Sequence, residues 1–211
     1  APRAARHDET RVGYAVIGYR YQGCEYRVTN VTEAAVGRGG FAPNDPVDVS
    51  EGLIRFKGRV VHDDHRYGVL AFGDVIVKSS NVGAIKVGFR LGPERLGRYV
   101  SRFGFGQTLV PDFRGENPGI VWSPAKLDAG AVASVSMGYQ VGVTPMQMAA
   151  AVSSIANGGT LYEPRVVRAT IKDGQRIEVP HKALRRTVSE RTTSQMTAIM
   201  EAVVEEGTGK S

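Results

Sequence analysis

Two hydroxyls and a carboxamide stand side by side in the string Lys78-Ser79-Ser80-Asn81. A serine hydroxyl can relay a proton and an asparagine amide can bind a peptide carbonyl, so Ser79 and Asn81 are candidate catalytic residues. Residues two apart do not share a face of a regular helix, so both side chains reach one cleft only from a connector between helices. The simpler interpretation, preferred for Ser-x-Asn taken alone, is that the string caps the helix that follows it.

Apolar residues recur at three- and four-residue spacing on both sides of this string and predict two helices that it joins. Those positions are Phe72, Val75 and Ile76 before the string, and Val82, Ile85 and Phe89 after it. Gly92 ends the second helix, and Pro93 suits the first turn of a third helix that ends at Gly104. Ser79 to Asn81 therefore fall on the kind of connector that a shared cleft requires.

The rest of the chain predicts strands near both ends and helices between them. We expect a single partial domain over residues 1–211, with residues 1–10 frayed. Within residues 11–35 we expect a strand, a turn and a helix beginning near Cys24 to Asn30, followed by a loop over Gly37–Asp48 and a strand at Arg59–Val61. A helix-rich region follows over 68–160 and includes a helix at Pro145–Asn157. The chain continues with a β-hairpin within 161–180, which turns at Lys172 to Gly174, and a helix over 189–206.

The composition is typical of a globular domain. The chain has 211 residues and a formal net charge of +6, with 42% hydrophobic and 23% charged residues. Its basic residues are spread among acidic ones without a run, so nucleic acid is not an expected partner. No stretch approaches the roughly 20 apolar residues that a membrane span needs, so we expect any membrane anchor to lie outside this chain.

We expect no metal and no cofactor. Cys24 is the single cysteine, which excludes a cysteine-rich metal site. His62-Asp63-Asp64-His65 has the residue types of a metal cluster, but ligation from positions three apart requires a helix, and the string is interpreted as a solvated loop. Gly207 to Ser211 contains Gly-Lys-Ser, but Val204 stands where a phosphate-binding loop needs glycine, so nucleotide binding is rejected.

Five further strings follow the Ser-x-Asn string in order along the chain. They are Arg102-Phe-Gly-Phe-Gly106, Gly115-Glu-Asn-Pro-Gly119, the stretch from Ser136 to Gln147, Ala156-Asn-Gly-Gly-Thr160 and Glu205-Glu-Gly-Thr-Gly209. This ordered series resembles the transpeptidase domain of the class B penicillin-binding proteins, from about Phe41 to the C-terminus. Each string alone is weak evidence, but five in one order make coincidence improbable.

The resemblance implies an α/β (α+β) fold of the penicillin-binding protein and β-lactamase type, with the helical subdomain largely present and the sheet partial. It also implies acyl transfer from the D-Ala-D-Ala terminus of peptidoglycan stem peptides, binding of β-lactams, and a place on the extracytoplasmic face of the bacterial inner membrane beside a glycosyltransferase. On this pattern Ser79 is the relay hydroxyl, Asn81 holds the substrate amide, and Tyr139 and Thr144 are substrate-binding candidates.

The nucleophile motif departs from the family. Where the family has Gly-Ser-x-x-Lys, about fifty-five residues before Ser-x-Asn, this chain has Gly23-Cys24-Glu25-Tyr26-Arg27. Cys24 and Arg27 are therefore candidates for the nucleophile and base positions. A thiolate can attack a carbonyl, but a guanidinium stays charged and cannot accept the proton. The alternative, that Cys24 is a small buried apolar residue, is at least as good an interpretation.

The family's Lys-Thr-Gly strand does not follow the Glu-Gly-Thr-Gly string, so we expect a truncated transpeptidase domain or a degenerate relative. A partial sheet exposes strand edges, which favours self-association or a complementary chain. Two alternative functions remain. The first is a non-catalytic homologue that acts as a scaffold in cell-wall synthesis. The second is a β-lactamase or D,D-carboxypeptidase, although Glu116, in Gly-Glu-Asn-Pro-Gly, is more simply a loop residue than a deacylating base.

Overall fold

The computed structural model describes residues 41–110 and 115–207, together with the backbones of two short strands, Tyr19–Tyr21 (β1) and Cys24–Tyr26 (β2). These strands pair antiparallel. Because residues 24–26 are extended, the helix predicted to begin near Cys24 to Asn30 does not start before residue 27. Each strand has one charged residue between two less polar ones, Arg20 in β1 and Glu25 in β2, and this alternation favours extended backbone over helix. Arg27 lies outside the described residues.

Four strands lie between residues 46 and 71, namely Pro46–Asp48 (β3), Leu53–Phe56 (β4), Arg59–His62 (β5) and Val69–Ala71 (β6). β3 pairs with β6, and β4 forms a hairpin with β5. The hairpin turn, Lys57 and Gly58, has positive φ at both positions, as tight hairpin turns require. The sequence predicted only the strand at Arg59–Val61, because strands of three or four residues are too short to establish a period of two.

The described residues contain five α-helices and one short 3-10 turn. They are Phe72–Val77 (α1), Asn81–Arg102 (α2), Ala129–Ser136 (α3), Pro145–Ala156 (α4), Glu190–Glu205 (α5) and the turn Pro124–Lys126. Gly92, inside α2, has φ 76° and ψ 166°, which is not a helical conformation, and Pro93 follows it. α2 therefore consists of two helical segments, which correspond to the second and third helices that the sequence predicted on either side of Gly92.

The first segment of α2 lies at the centre of the main apolar core. Val82 is fully buried there and Val87 nearly so, and α3 packs against the same helix. Gly88 permits this close approach, because a Cβ atom at that position would overlap the hydroxyl of Ser136 on α3. A smaller cluster joins α1 to α5 through the buried residues Ile76, Val77, Ile199 and Val203.

The C-terminal part adds four strands, Thr160–Tyr162 (β7), Ala169–Lys172 (β8), Gln175–Glu178 (β9) and Ala183–Arg186 (β10). β7 pairs with β10, and β8 forms a hairpin with β9 that turns at Asp173 and Gly174. Every strand in the described part of the chain belongs to an antiparallel pair, and no sheet there has more than two strands. The architecture is therefore helix-rich α+β with short strand pairs. Among these residues, no helix has both the length and the apolar character needed to cross a bilayer.

Candidate active site

Helix α1 ends in two serines whose backbone N–H groups turn back to it. Ser79 donates to the carbonyl of Ile76 over 3.0 Å, and Ser80 donates to the carbonyl of Val75 over 2.9 Å. This pair of bonds is the Schellman arrangement, which places one residue in the left-handed region. That residue is Ser79, with φ 54°. Glycine is the usual residue here, so a serine keeps its hydroxyl at a conformational cost of about 1 kcal/mol.

Helix α2 begins at the very next position. The hydroxyl of Ser80 accepts a bond from the N–H of Gly83 over 2.9 Å, which makes Ser80 the N-cap. Ser80 thus belongs both to the turn that ends α1 and to the cap that starts α2. Ser79 and Asn81 lie on either side of the cap. Ser79 is on the connector that the sequence predicted, whereas Asn81 is the first residue of α2.

The capping alternative is therefore correct for the middle residue of the string. Ser80 is buried and caps α2, whereas Ser79 and Asn81 are half-buried and line one small pocket. Ser136 and Met137, at the end of α3, line the same pocket. Its volume of about 10 Å³ is far below the roughly 300 Å³ of a ligand site. The residues that line it, called the wall below, therefore do not enclose a ligand by themselves.

Gly83 keeps α1 and α2 close together at this wall. A Cβ atom there would lie 2.7 Å from Cγ1 of Val75 and 3.0 Å from the hydroxyl oxygen of Ser80. Because both distances are shorter than ordinary contacts, any larger residue would move either α1 or the cap. The glycine two residues after Asn81 is thus required by the packing that brings the two helices together.

The loop after β5 binds the same string. Asp63 accepts a 2.6 Å bond from the hydroxyl of Ser80 and a 2.9 Å bond from the N–H of Val82. The amide of Asn81 donates to the carbonyl of His62 over 3.2 Å. The interpretation of His62 to His65 as a solvated loop was therefore wrong for Asp63. The sequence gives no sign of these hydrogen bonds, because the partners are 17 to 19 residues away along the chain. No group of metal-ligating side chains occurs among the described residues.

Tyr67 follows this loop, and the negative charge of the loop affects the pKa of its phenol. Burial raises the pKa of the Tyr67 phenol above its usual 10.0, and the negative charges of Asp63 and Asp64 raise it further. The carboxylates of the loop thus act on a side chain that packs against the main core.

Gln147 explains the Thr-Pro-x-Gln string in structural terms. Its side chain is fully buried, and it accepts a bond from the N–H of Thr144 and donates to the carbonyls of Gln107 and Pro118 over 2.7 and 2.9 Å. Thr144 in turn caps α4 by accepting from the N–H of Gln147. The substrate-binding candidate Thr144 is thus a capping residue, and substrate binding by it stays a prediction.

Two further residues that the sequence singled out, Tyr139 and Glu116, do not line this pocket. Tyr139 is 60% exposed and follows Ser136 and Met137 of the pocket by a few residues, which leaves it accessible as the predicted substrate-binding residue. Glu116 is held by the backbone, because its carboxylate accepts bonds from the N–H groups of Leu109 and Val110. Glu116 thus stabilises the backbone of this loop.

The nucleophile position has less structural description. Cys24 belongs to β2, but only its backbone is described, and Arg27 is outside the described residues. A Ser-x-x-Lys string does occur at Ser123 to Lys126, after the Ser-x-Asn string instead of before it. Its residues form a single 3-10 turn with both side chains exposed, so they do not share a helix face as a serine and its activating lysine would.

The family model described as the penicillin binding protein transpeptidase domain matches residues 30–211. The chain belongs to this family. The match begins three residues after Arg27, so neither Cys24 nor Arg27 is part of it. The class B resemblance of the five ordered strings is thereby confirmed for the family and the fold.

Curated relatives of this transpeptidase-family chain are much longer than it. Stage V sporulation protein D of Bacillus subtilis is 36% identical over 148 residues, which cover 69% of this chain and 23% of that protein. Penicillin-binding protein PbpB of Mycobacterium tuberculosis is 33% identical over 178 residues, which cover 83% of this chain and 26% of that protein. The chain therefore spans about a quarter of the length of these two relatives.

Solved structures agree on the fold. Penicillin-binding protein 3 of Mycobacterium tuberculosis superimposes with a TM-score of 0.74 at 32% identity, over 83% of this chain and 40% of that one. The transpeptidase domain of penicillin-binding protein 3 from Burkholderia pseudomallei gives a TM-score of 0.72 at 29% identity, over 85% of this chain and 52% of that one. The described helices and strand pairs are thus part of a transpeptidase fold.

Proposed function

We propose that this chain is part of a peptidoglycan D,D-transpeptidase and that Ser79 and Asn81 face the D-Ala-D-Ala terminus of a stem peptide. The observation that carries the proposal is the shared pocket of Ser79 and Asn81, which the C-terminus of α1 and the N-terminus of α2 bring to one wall in a chain of the transpeptidase family. A hydroxyl and a carboxamide at such a wall suit proton relay and amide binding.

In the proposed reaction a nucleophile attacks the carbonyl carbon of the penultimate D-Ala. The peptide C–N bond then breaks, and the terminal D-Ala leaves with a proton on its amine. An acceptor amine displaces the nucleophile in a second step and completes the cross-link. Ser79 passes protons to and from the reacting groups, while the amide of Asn81 holds the peptide in register.

Cys24 and Arg27 remain the proposed occupants of the nucleophile and base positions, although Cys24 lies in a strand and not on a helix as the family's serine does. Arginine cannot take the thiol proton, so it can only favour the thiolate by its charge. Loss of a general base typically costs a factor of about 10² to 10⁴ in rate. We therefore expect this chain to recognise the peptide terminus or a β-lactam without forming a stable acyl adduct through its own residues.

The names of relatives support the ligand class. Penicillin-binding protein 3 of Mycobacterium tuberculosis has been solved with ampicillin, at a TM-score of 0.74 and 32% identity to this chain. By analogy we propose that this chain binds β-lactams, acts on the extracytoplasmic side of the inner membrane and works beside a glycosyltransferase. We further propose that open strand edges, as in the exposed β8–β9 hairpin, favour pairing with a second copy or a complementary chain.

A non-catalytic scaffold is the second candidate, and the residues Cys24 and Arg27 themselves favour it, since neither is the usual catalytic type. Intact-protein mass spectrometry after incubation with a labelled penicillin distinguishes the possibilities, with a Cys24→Ala variant as control. We expect no stoichiometric adduct. An adduct that disappears in the control would make Cys24 a working nucleophile, and one that persists would place the nucleophile elsewhere.

Recognition is tested separately from covalent chemistry. Binding of benzylpenicillin is measured by titration followed by NMR, for the wild type and for Asn81→Ala. We expect the wild type to bind and Asn81→Ala to lose about tenfold or more in affinity, because a hydrogen bond to a desolvated amide is removed. A wild-type chain that shows no binding would contradict the proposed function.

A further inference from the structure

Asp63 is held firmly on its own side of the contact with the Ser-x-Asn string. Its backbone N–H donates to the carbonyl of Gly52 over 3.1 Å, which fixes the end of the β4–β5 hairpin. Gly52 has φ 65°, and a Cβ atom there would lie 3.0 Å from Cγ of Arg66. The hairpin and the following loop are thus packed against each other before they meet the helices.

The two carboxylate oxygens of Asp63 perform different tasks. One accepts from the hydroxyl of Ser80, which frees the same oxygen of Ser80 to accept from Gly83, and the other accepts from the N–H of Val82. Two of the four unpaired N–H groups at the start of α2 are thereby satisfied. A negative charge at a helix N-terminus is also favoured by the helix dipole.

We infer that Asp63 is the positioning residue for the Ser79–Asn81 pair. The carboxylate fixes the rotamer of Ser80, which lies between them, and the first turn of α2, on which Asn81 stands. His62, its neighbour, binds the amide of Asn81 through its carbonyl. Asp63 acts through Ser80 and Val82, and it stands outside the motifs that carry the family resemblance.

This inference rests on the proposed function only for its effect on ligand binding. The effect on the geometry of Asn81 stands by itself. A displacement of about 1 Å in a catalytic group can cost up to about a hundredfold. For Asp63→Ala we expect penicillin affinity to fall about tenfold or more, through misplacement of Ser79 and Asn81.

Asp128 provides a matched control. It caps α3 by accepting from the N–H of Ala131 over 2.9 Å, and it pairs with Lys57 over 2.8 Å on the surface. Asp128→Ala therefore removes an aspartate cap of the same kind, far along the sequence from the Ser79–Asn81 string. Both variants should lower the unfolding temperature, so stability alone does not distinguish a positioning role.

The distinguishing measurement is NMR of the uniformly ¹⁵N-labelled chain. The side-chain amide of Asn81 and the backbone amides of Val82 and Gly83 are followed in wild type, Asp63→Ala, Asp63→Asn and Asp128→Ala, before and after addition of benzylpenicillin. We expect Asp63→Ala to shift and broaden these signals and to weaken binding, while Asp128→Ala leaves both unchanged. Asp63→Asn should restore most of the wild-type spectrum, because its carbonyl oxygen can accept from the N–H of Val82 while its amide nitrogen donates to the hydroxyl oxygen of Ser80.

Each other outcome has a definite meaning. If Asp63→Ala leaves the Asn81 signals unchanged, or if Asp128→Ala shifts them equally, the positioning role is wrong. If the wild type fails to bind penicillin, the proposed function fails, but the Asn81 signals still decide the positioning. If Asp63→Ala does not fold, Ser80→Ala is used, because it removes the bridging hydroxyl and keeps the bond from Val82 to Asp63. Unchanged Asn81 signals in Ser80→Ala would also contradict the inference.

Discussion

The N–H of Ser80 donates to the carbonyl of Val75 over 2.9 Å, and this bond closes the turn that forces Ser79 into the left-handed region. A cap that served only to end α1 would be better made with glycine. The serine is therefore retained against the conformational preference of its position. Strain of this kind, observed at a specific residue, is a reason to assign that residue a function.

Substitution of Ser79 separates conformation from chemistry. Ser79→Gly and Ser79→Ala both remove the hydroxyl and whatever it contacts, but only glycine relaxes the positive φ. We expect Ser79→Gly to exceed Ser79→Ala in free energy of unfolding by about 1 kcal/mol in urea titrations. Both should weaken penicillin binding. If Ser79→Gly binds penicillin like the wild type, the Ser79 hydroxyl makes no contact that ligand binding needs.

Gly88 should tolerate no side chain. A Cβ atom at this position overlaps Oγ of Ser136, so Gly88→Ala pushes α2 away from α3 and should cost about 1 to 3 kcal/mol in urea unfolding. The double variant Gly88→Ala with Ser136→Gly should recover part of this loss, because the overlapping atom is gone. Gly68→Ala is the control, since no atom lies within 4 Å of a Cβ there. Equal losses for Gly88→Ala and Gly68→Ala would contradict the close-packing explanation.

Helices with a long apolar period could be predicted from the sequence, whereas a helix made of small residues could not. The break at Gly92 and Pro93 was foreseen because both residues act locally on the backbone. Helix α3 was not, because its residues Ala129 to Ser136 are small and nearly all buried, so no polar face creates a period of 3.6. The same small residues are what allow α3 to approach Gly88.

The site was predictable only where its signals are local. Ser79 and Asn81 could be found because their types and spacing are visible in one string. Asp63 could not, because its role depends on hydrogen bonds across 17 and 19 residues that only the folded chain creates. The residue types of its neighbours His62 and Asp64 suggest metal binding instead, because residue types are visible in the sequence and positions in the fold are not.

Gln147 should be important for stability more than for binding. Gln147→Ala leaves the carbonyls of Gln107 and Pro118 without their buried donor and removes the bond to the N–H of Thr144. We expect a loss of about 2 to 4 kcal/mol in the free energy of unfolding. Gln175→Ala, on the exposed strand β9, is the matched control and should change it by less than about 0.5 kcal/mol. A similarly small loss for Gln147→Ala would show that these buried carbonyls find other donors.

The raised pKa of Tyr67 should make the free energy of unfolding fall at alkaline pH. Its pKa in the folded chain is raised above 10.0, first by burial and then by the charges of Asp63 and Asp64. Above pH 10.0 the unfolded chain releases this proton before the folded chain does, so the unfolded state binds fewer protons and stability falls as pH rises. In Tyr67→Phe this contribution is absent, and urea unfolding measured from neutral to alkaline pH should give a shallower decline. Asp64→Asn should lower the pKa of Tyr67 toward its usual value, as followed by phenolate absorbance. An alkaline decline that is equally steep in Tyr67→Phe would assign the effect to other groups.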